Sequence, residues 1–370
     1  MKPLTLCMIL IPVYLMSMEG FNPSKSGGFV SVGLSHQRWT SEDREDPLQQ
    51  TAVPIVCYYP VSPNWHLNLS NTPATASYRD STISGLSDTW IRTTYVTPNE
   101  RFMFNIGIGM PTGKTELSNE EFGLVVGLSE NALRFRLPSY GQGFCGKVGG
   151  GVAFPMEGGS VIGLGLNYMI KSAYQYMADI DWEYDPGDEF NVVAGISVPV
   201  GRQGKWSTDI VYSIYSADQL NEQDILDAGD KILINTSLAY KMRSGFFYGA
   251  IRFRQRGKND LFVPDDQNGG TVSKISKKTI GDQVETDGLW QFTQWPKGGL
   301  SLLWDGRFFS ENEDGNGNAT IYGFGIGAQH QFSPTVTGNI NIKLLMGTIN
   351  ADGEVDVNGV DILASMKFGI

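Results

Sequence analysis

The 370-residue chain is poor in several features that most proteins of its length use. It has only 3 cysteines, which excludes a disulfide scaffold. Charged residues make up 18%, against about 25% in an ordinary globular protein. Beyond residue 20 no stretch approaches the roughly 18 uninterrupted apolar residues of a membrane helix, so a helical membrane protein is excluded.

What the chain does contain favours a large β protein. It has 45 glycines, and its 19 Phe, 15 Tyr and 8 Trp exclude a disordered chain. The net charge of −11 argues against a nucleic-acid partner. Of the cysteines, Cys57 and Cys145 lie in strand-like segments far apart in the chain, and we expect two free thiols.

The N-terminus has the layout of a secretory signal peptide. Lys2 is followed by a mostly apolar run over residues 4–16 and by the small residues Ser17 and Gly20. We therefore predict a signal peptide over residues 1–20 and one domain over residues 21–370. The alternative is an N-terminal helix that is not cleaved.

Beyond this segment, bulky apolar residues alternate with small or polar ones. The clearest alternating segments are residues 102–110, 162–170, 190–200, 206–214, 322–328 and 340–346. Successive side chains of a strand point to opposite faces, so each segment is a two-faced strand. The segments are longer than the usual 5–6 residues or so, and their second face is rich in Gly, Ser, Asn and Thr rather than in charge.

The connections between these strands are asymmetric. Seven are very short, at residues 61–64, 97–100, 156–159, 201–204, 241–245, 295–299 and 333–335, whereas the others are longer and acidic. Short turns at one end and long loops at the other are typical of an outer-membrane barrel. We predict one antiparallel up-and-down β-barrel of about 16 strands, with 14 as the alternative, in the bacterial outer membrane. Its partners would be membrane lipid and lipopolysaccharide.

The C-terminal segment alternates to its last residue, with Ile362, Ala364, Met366, Phe368 and Ile370 on one face. It is similar to the final strand through which such barrels are recognised by the insertion machinery, although the usual last residue is Phe or Trp. We expect that machinery to be a partner.

Two loops carry signals for short helices. In residues 112–141 the spacing of Ser118 and Glu121 predicts a helix cap before an apolar stretch. If this loop folds into the barrel, Phe122, Val125 and Val126 would narrow the pore; packing against another loop is the alternative. Residues 217–229 also predict a short helix, ending at a glycine.

Three arginines share one face of a strand: Arg252, Arg254 and Arg256. We expect them to face the lumen, because charge toward lipid costs about 2–4 kcal/mol at mid-membrane. They would either bind an anion or form a structural ladder with lumen acids such as Asp209 and Asp305. Arg307 and Lys343 fall on the same lumen-facing parity.

An enzyme is not predicted. The chain has 3 histidines, and none has the spacing of a catalytic constellation, a metal site or a phosphate loop. We therefore expect no catalytic residue, metal or cofactor. Acidic clusters in the outer loops would either bridge divalent cations to lipopolysaccharide or form a solvated surface.

Residues 85–200 resemble the outer-membrane proteins grouped under the meta-pathway of phenol degradation. The likeness rests on the segment Gly-Leu-Ser-Asp-Thr at 85–89, on the strand 102–110 running into Pro-Thr-Gly-Lys at 111–114, and on Gly-Gln-Gly at 141–143. Leu117, Glu120 and Glu121 also fit. The resemblance, which extends distantly to the long-chain fatty-acid channels, implies passive uptake of small hydrophobic or aromatic molecules. The alternative is a structural or surface-interaction barrel with a closed lumen.

Overall fold

The computed structural model describes residues 27–42, 44–265, 271–295, 297–350 and 353–370. The predicted signal peptide lies outside the described residues. In these ranges the strands are β1 (Phe29–Ser41), β2 (Arg44–Ala52), β3 (Ile55–Pro60), β4 (Trp65–Asn71), β5 (Ala74–Tyr78), β6 (Ser81–Gly85), β7 (Thr89–Val96), β8 (Phe102–Met110), β9 (Cys145–Pro155), β10 (Val161–Lys171), β11 (Tyr174–Gln175), β12 (Glu183–Asp185), β13 (Glu189–Val200), β14 (Gly204–Tyr215), β15 (Asp218–Leu220), β16 (Gln223–Asp227), β17 (Lys231–Met242), β18 (Gly245–Arg256), β19 (Asn259–Asp265), β20 (Thr271–Lys277), β21 (Gln283–Trp295), β22 (Gly298–Phe309), β23 (Ala319–Ser333), β24 (Val336–Asn350) and β25 (Glu354–Gly369). Helix α1 covers Asn119–Leu128, and a single 3-10 turn covers Glu157–Gly159.

The larger sheet is a closed antiparallel barrel. Each wall strand pairs with the wall strands before and after it in the chain, and β25 pairs with β1 over residues 357–369 and 29–41, which closes the sheet. Three of the wall strands are each broken into two pieces: β2 with β3, β4 with β5, and β6 with β7. The wall therefore has 16 strands, which confirms the predicted count over the alternative of 14.

Prolines explain two of these breaks. Pro54 has no N–H to donate to the ladder, and its carbonyl accepts from the N–H of Gly33 at 2.9 Å. At the second break, the N–H of Val53 donates to the carbonyl of Pro73 at 2.8 Å. Backbone groups next to the breaks are thus still paired, as a wall in lipid requires.

The seven predicted short turns lie at the end of the barrel that also holds residues 29 and 369, the first and last residues of the wall. The connections at the opposite end include all the long ones, at residues 111–144, 172–188, 216–230 and 257–282. The predicted asymmetry is confirmed, and the end with the long loops is the extracellular one.

The two faces of the strands are as predicted. On β23 the outward side chains of Phe324 and Ile326 are 67% and 64% exposed, whereas the lumen face carries Gly323, Gly325 and Gly327. Large apolar side chains with this exposure recur on the outer face of most wall strands. A continuous apolar belt of this kind is unsuited to water and matches the hydrocarbon core of a membrane.

A second sheet stands above the extracellular rim. It contains six short strands, β11, β12, β15, β16, β19 and β20, contributed by three loops. The helix predicted over residues 217–229 is wrong, because this segment forms the hairpin β15–β16. Asn221 and Glu222 make its turn with φ of 50° and 63°. Pairing with β12 and β19 outweighs the weak local preference for a helix.

Two smaller expectations are also settled. Cys57 and Cys145 are free thiols, as predicted. The C-terminal strand β25 extends to Gly369 and presents Met366 and Phe368 outward, each 39% exposed. Among the described residues, no helix is both long and apolar enough to cross a membrane.

Candidate functional site in the barrel lumen

The loop between β8 and β9 begins with the capped helix that the sequence predicts. The Ser118 hydroxyl accepts from the N–H of Glu121 at 3.3 Å, and the Glu121 carboxylate accepts from the N–H of Ser118 at 3.0 Å. Lys114 Nζ lies 2.5 Å from Glu121 Oε1. Burial opposes ionisation of Glu121, but the hydrogen bonds from Lys114 and Ser118 outweigh it and hold its pKa below the usual value.

Helix α1 packs on the inner side of the wall near the extracellular end. Leu124 and Leu128 are buried against inward side chains of β2, β5 and β6, among them Ile83. Of the residues proposed for a constriction, Val125 packs against this cluster, whereas Phe122 and Val126 are 40% and 53% exposed. Their role in a constriction stays a prediction.

The chain that follows the helix crosses the lumen face of the barrel. We call residues 130–141 the inserted segment. Its apolar side chains Leu133, Phe135, Leu137 and Tyr140 are all buried. They join one cluster with inward side chains from a continuous arc of the wall that runs from β22 through β25 and β1 to β6, namely Trp39, Leu48, Ile83, Phe309, Ile321, Leu345 and Val357. The inserted segment therefore fills part of the extracellular half of the lumen.

Two glutamines hold the backbone of the inserted segment. Gln37 of β1 donates to the carbonyl of Arg134 at 3.0 Å and accepts from the N–H of Arg136 at 2.7 Å. Gln50 of β2 donates to the carbonyl of Leu137 at 2.7 Å and accepts from its N–H at 2.9 Å. The two side-chain amides thus replace the backbone partners that a neighbouring strand would supply. We call this pair the glutamine clamp.

Charged groups tie the inserted segment to the opposite part of the wall. Arg134 Nη1 lies 3.4 Å from Asp287 Oδ1, 3.6 Å from Glu285 Oε2 and 3.7 Å from Asp305 Oδ2. The Arg307 guanidinium donates to the carbonyl of Ala132 at 2.5 Å and to Asp305 Oδ1 at 2.8 Å. Asp305 therefore connects the wall to the inserted segment.

The same network continues along β24 and β25. Lys343 Nζ lies 3.0 Å from Asp305 Oδ2 and 3.4 Å from Asp361 Oδ2. Arg307 and Asp305 are 1% and 3% exposed, so these charges are out of bulk water. Buried charges of both signs hold each other in place here, since each would be costly alone.

The three predicted arginines face the lumen, but their partner differs from those the sequence suggested. Arg252 Nη1 lies 3.0 Å from Glu285 Oε2, and Arg254 donates to Gln283 at 2.7 Å. The guanidinium of Arg256 stacks over the ring of Tyr215 at 5.3 Å.

Of the two acids that the sequence suggested as partners, only Asp305 enters the ionic network. Asp209 is the register partner of Asn235, which is in turn the register partner of Arg252, so Asn235 lies between the two charges. Among the described residues, no ion pair joins Asp209 to an arginine. Glu285 is the residue that sequence reasoning missed. It lies opposite Arg252 in the register of β18 and β21, a pairing that becomes visible only once the long loop between these strands is closed.

Comparisons with known proteins agree with the fold. No protein-family model matches the sequence, and no curated protein matches it. Among solved structures, OprB of Pseudomonas putida in its high-pH form aligns with a TM-score of 0.51 and 8% identity, over 93% of this chain and 94% of that one. The TodX deltaS2S3 mutant, a monoaromatic hydrocarbon channel, aligns with a TM-score of 0.49 and 8% identity, over 94% and 92% of the two chains. The outer membrane protein OprD from Pseudomonas aeruginosa aligns with a TM-score of 0.42 and 10% identity, over 94% and 96%.

At such identities the likeness shows the fold alone, and the two lower scores carry no argument. The closed wall, the apolar belt and the likeness to OprB confirm the predicted class. The narrower likeness to the phenol-degradation proteins remains a resemblance in the sequence, because no family model matches. The chain has the fold of a bacterial outer-membrane β-barrel of 16 strands.

Proposed function

We propose that the protein is a passive outer-membrane channel for small molecules, narrowed by the inserted segment. The observation that carries this proposal is the docking of the inserted segment across the lumen face by the glutamine clamp and by Arg134. A loop that only covered the barrel mouth would not need buried partners on the inner wall. Diffusion through such a lumen involves no chemical step, in line with the expectation that the protein is not an enzyme.

The cargo is proposed to be small hydrophobic or aromatic molecules, as the resemblance implies. The charged groups along the lumen, such as Arg252, Arg254 and Glu285, add a condition to this proposal. These charged groups favour aromatic solutes that also carry a polar or ionised group over neutral hydrocarbons. A neutral hydrocarbon offers no hydrogen bond or charge to replace the water that it would displace from the charged wall.

The structure offers a clean deletion to test the channel. The backbones of Gly113 and Gly141 meet at the base of the loop, where a Cβ added to Gly113 would lie 2.1 Å from the carbonyl oxygen of Tyr140 and 2.8 Å from Gly141 Cα. Residues 115–140 can therefore be removed by joining Lys114 to Gly141 with little change in the wall. The measurements are single-channel conductance in planar bilayers and uptake of a labelled aromatic acid into liposomes.

We expect the full-length protein to conduct and the deletion variant to conduct more. A control is Lys274→Gln on the β19–β20 hairpin above the rim, which removes an exposed ion pair with Asp260 and should leave conductance unchanged. If neither the full-length chain nor the 115–140 deletion conducts or takes up solute, the channel proposal is wrong. That result would favour the alternative, a structural barrel with a closed lumen, with which the deep burial of Arg307 and Asp305 is also consistent.

A further inference from the structure

Two cations face each other on the part of the lumen wall formed by β7, β8 and β9. Arg92 on β7 and Lys147 on β9 are both direct register partners of Gly107 on β8. Their outward neighbours Ile91 and Val148 are exposed on the lipid side, so both cations point inward. Two strand spacings separate their backbones by about 10 Å. The sequence patterns did not single out either residue.

The stem of Arg92 leans over the glycine that lies between the two residues. A Cβ placed on Gly107 would lie 3.3 Å from Arg92 Cγ and 3.6 Å from Lys147 Cβ. The guanidinium of Arg92 is stacked on the ring of Trp90 at 4.8 Å, which fixes its position. Gly107 thus leaves room for the Arg92 stem to lie across β8 between the two cations.

The charges of this pair are not balanced by the protein. In the described parts of the chain, neither Arg92 nor Lys147 has a carboxylate within 4.0 Å, whereas Arg134, Arg252, Arg307 and Lys343 all have one. The acid on the same row, Glu189, lies two strands beyond Lys147 and is itself 3.5 Å from Lys231. Like charges that share a site disfavour one another unless an anion lies between them.

The next row toward the periplasm supplies neutral hydrogen-bonding groups. Asn105 and Asn167 meet over Gly149, where an added Cβ would lie 3.0 Å from Asn105 Nδ2 and 2.1 Å from Asn167 Oδ1. This arrangement places two cations one row above two side-chain amides. Such a lining suits an oxyanion, because the cations balance its charge and the amides donate hydrogen bonds to its oxygens.

We propose that Arg92 and Lys147, on either side of Gly107, form an anion-binding subsite that takes the carboxylate of a small organic acid during its passage. This inference deepens the proposed function by giving the cargo an anionic group. Passage of the acid through the barrel rests on the proposed channel, whereas binding of the acid does not. Inorganic phosphate shares the oxyanion chemistry, so the experiment uses both ligands.

The test is calorimetric titration of the full-length barrel, purified in detergent, with benzoate, with its uncharged isostere benzamide, and with inorganic phosphate. The variants are Arg92→Gln, Lys147→Gln and Gly107→Leu; the last retains both charges and displaces the Arg92 stem. The control, Lys241→Gln, removes an exposed lumen-face lysine near the periplasmic turn. Resistance of the barrel to unfolding in detergent at room temperature reports that each variant is folded.

We expect benzoate to bind and benzamide not to bind. Arg92→Gln and Lys147→Gln should each weaken benzoate binding by about tenfold, as expected for one lost hydrogen bond to a charged group. Gly107→Leu should weaken it by moving the Arg92 side chain, whereas Lys241→Gln should not change it. Phosphate binding equal to that of benzoate would identify the site as one for oxyanions in general. Benzoate affinity that is equal to that of benzamide, or unchanged in folded Arg92→Gln and Gly107→Leu, would overturn the proposal.

Bilayer recordings on the same samples separate the two proposals. Conductance without benzoate binding would leave the channel standing and remove the subsite. Benzoate binding without conductance would leave the subsite standing and remove the channel.

Discussion

Replacing Gln50 by leucine tests whether the glutamine clamp holds the inserted segment in the lumen. Gln50 is 1% exposed and makes two hydrogen bonds to the backbone of Leu137. Leucine has a similar volume, so Gln50→Leu removes both hydrogen bonds without opening a large cavity. The apolar contacts of the inserted segment remain, and the change reports on the polar contacts alone.

The size of the effect follows from the pairing that is lost. Leaving a buried backbone donor or acceptor without its partner costs about 1–3 kcal/mol. Two such groups of Leu137 lose their partner, so we expect the docking free energy of the inserted segment to fall by about 2–6 kcal/mol. The lower value corresponds to an approximately 30-fold larger undocked population.

The assay is amide hydrogen exchange of the folded barrel in detergent, read at Leu137 and Arg136. The N–H of Leu137 should exchange about 30-fold faster or more in Gln50→Leu, since opening of the inserted segment exposes it to water. The control is Gln49→Leu, the adjacent residue on the outer face, whose amide donates to Ser77 at 3.1 Å. If the N–H of Leu137 exchanges at the same rate in Gln50→Leu, in Gln49→Leu and in the unmodified protein, the glutamine clamp does not hold the inserted segment.

Three further outcomes are expected. Asp305→Asn leaves the buried Arg307 without a carboxylate partner, while Arg134 and Lys343 keep theirs, and should destabilise the barrel by about 3–5 kcal/mol, seen as a lower urea midpoint of unfolding. The Glu121 cap, whose pKa is lowered below its usual 4.5, should contribute fully above that pH and be lost only as pH falls through the lowered value; Lys114→Gln should move this loss to higher pH in a carboxyl NMR titration. Gly281→Val should prevent correct assembly, since its Cβ would lie 1.8 Å from a backbone carbonyl oxygen, whereas Gly146→Val enters open space and should fold, as judged by migration of the unheated barrel on gels.

The wall of the barrel could be predicted from the sequence because lipid imposes a simple rule on it. Across the hydrocarbon core the outward side chains are apolar, and the inward ones are free to be small or polar, so the period of two persists even where the strand is locally broken at Pro54. The second sheet, which three extracellular loops form above the rim, follows no such rule. The residues of β15 and β16 carry Leu220 and Leu226 in a polar surround, and such a pattern fits a short helix as well as a hairpin until the neighbouring loops are in place.

One structural signal in the loops was present in the sequence and was missed. A Gly-Asp pair precedes β13, β17 and β21, at 187–188, 229–230 and 281–282. At Gly187 and Gly281 a Cβ would lie 1.9 and 1.8 Å from the carbonyl oxygen of the next strand end, so only glycine fits. The aspartate that follows binds a side chain of the rim, such as Tyr168 for Asp188 and Tyr212 for Asp230. The repeat thus marks where each of these strands enters the wall.

The candidate site itself depends on contacts that no local pattern contains. Arg307 meets Ala132 across 175 positions of the chain, and Gln50 meets Leu137 across 87. What the sequence does show is an inward polar residue at each of these wall positions, placed where the outer face is apolar. Such residues have two possible partners, water or an inserted chain. Because Gln37, Gln50 and Arg307 are each 3% exposed or less and bond to residues 132–137, their partner here is the inserted segment, which covers them on the lumen side.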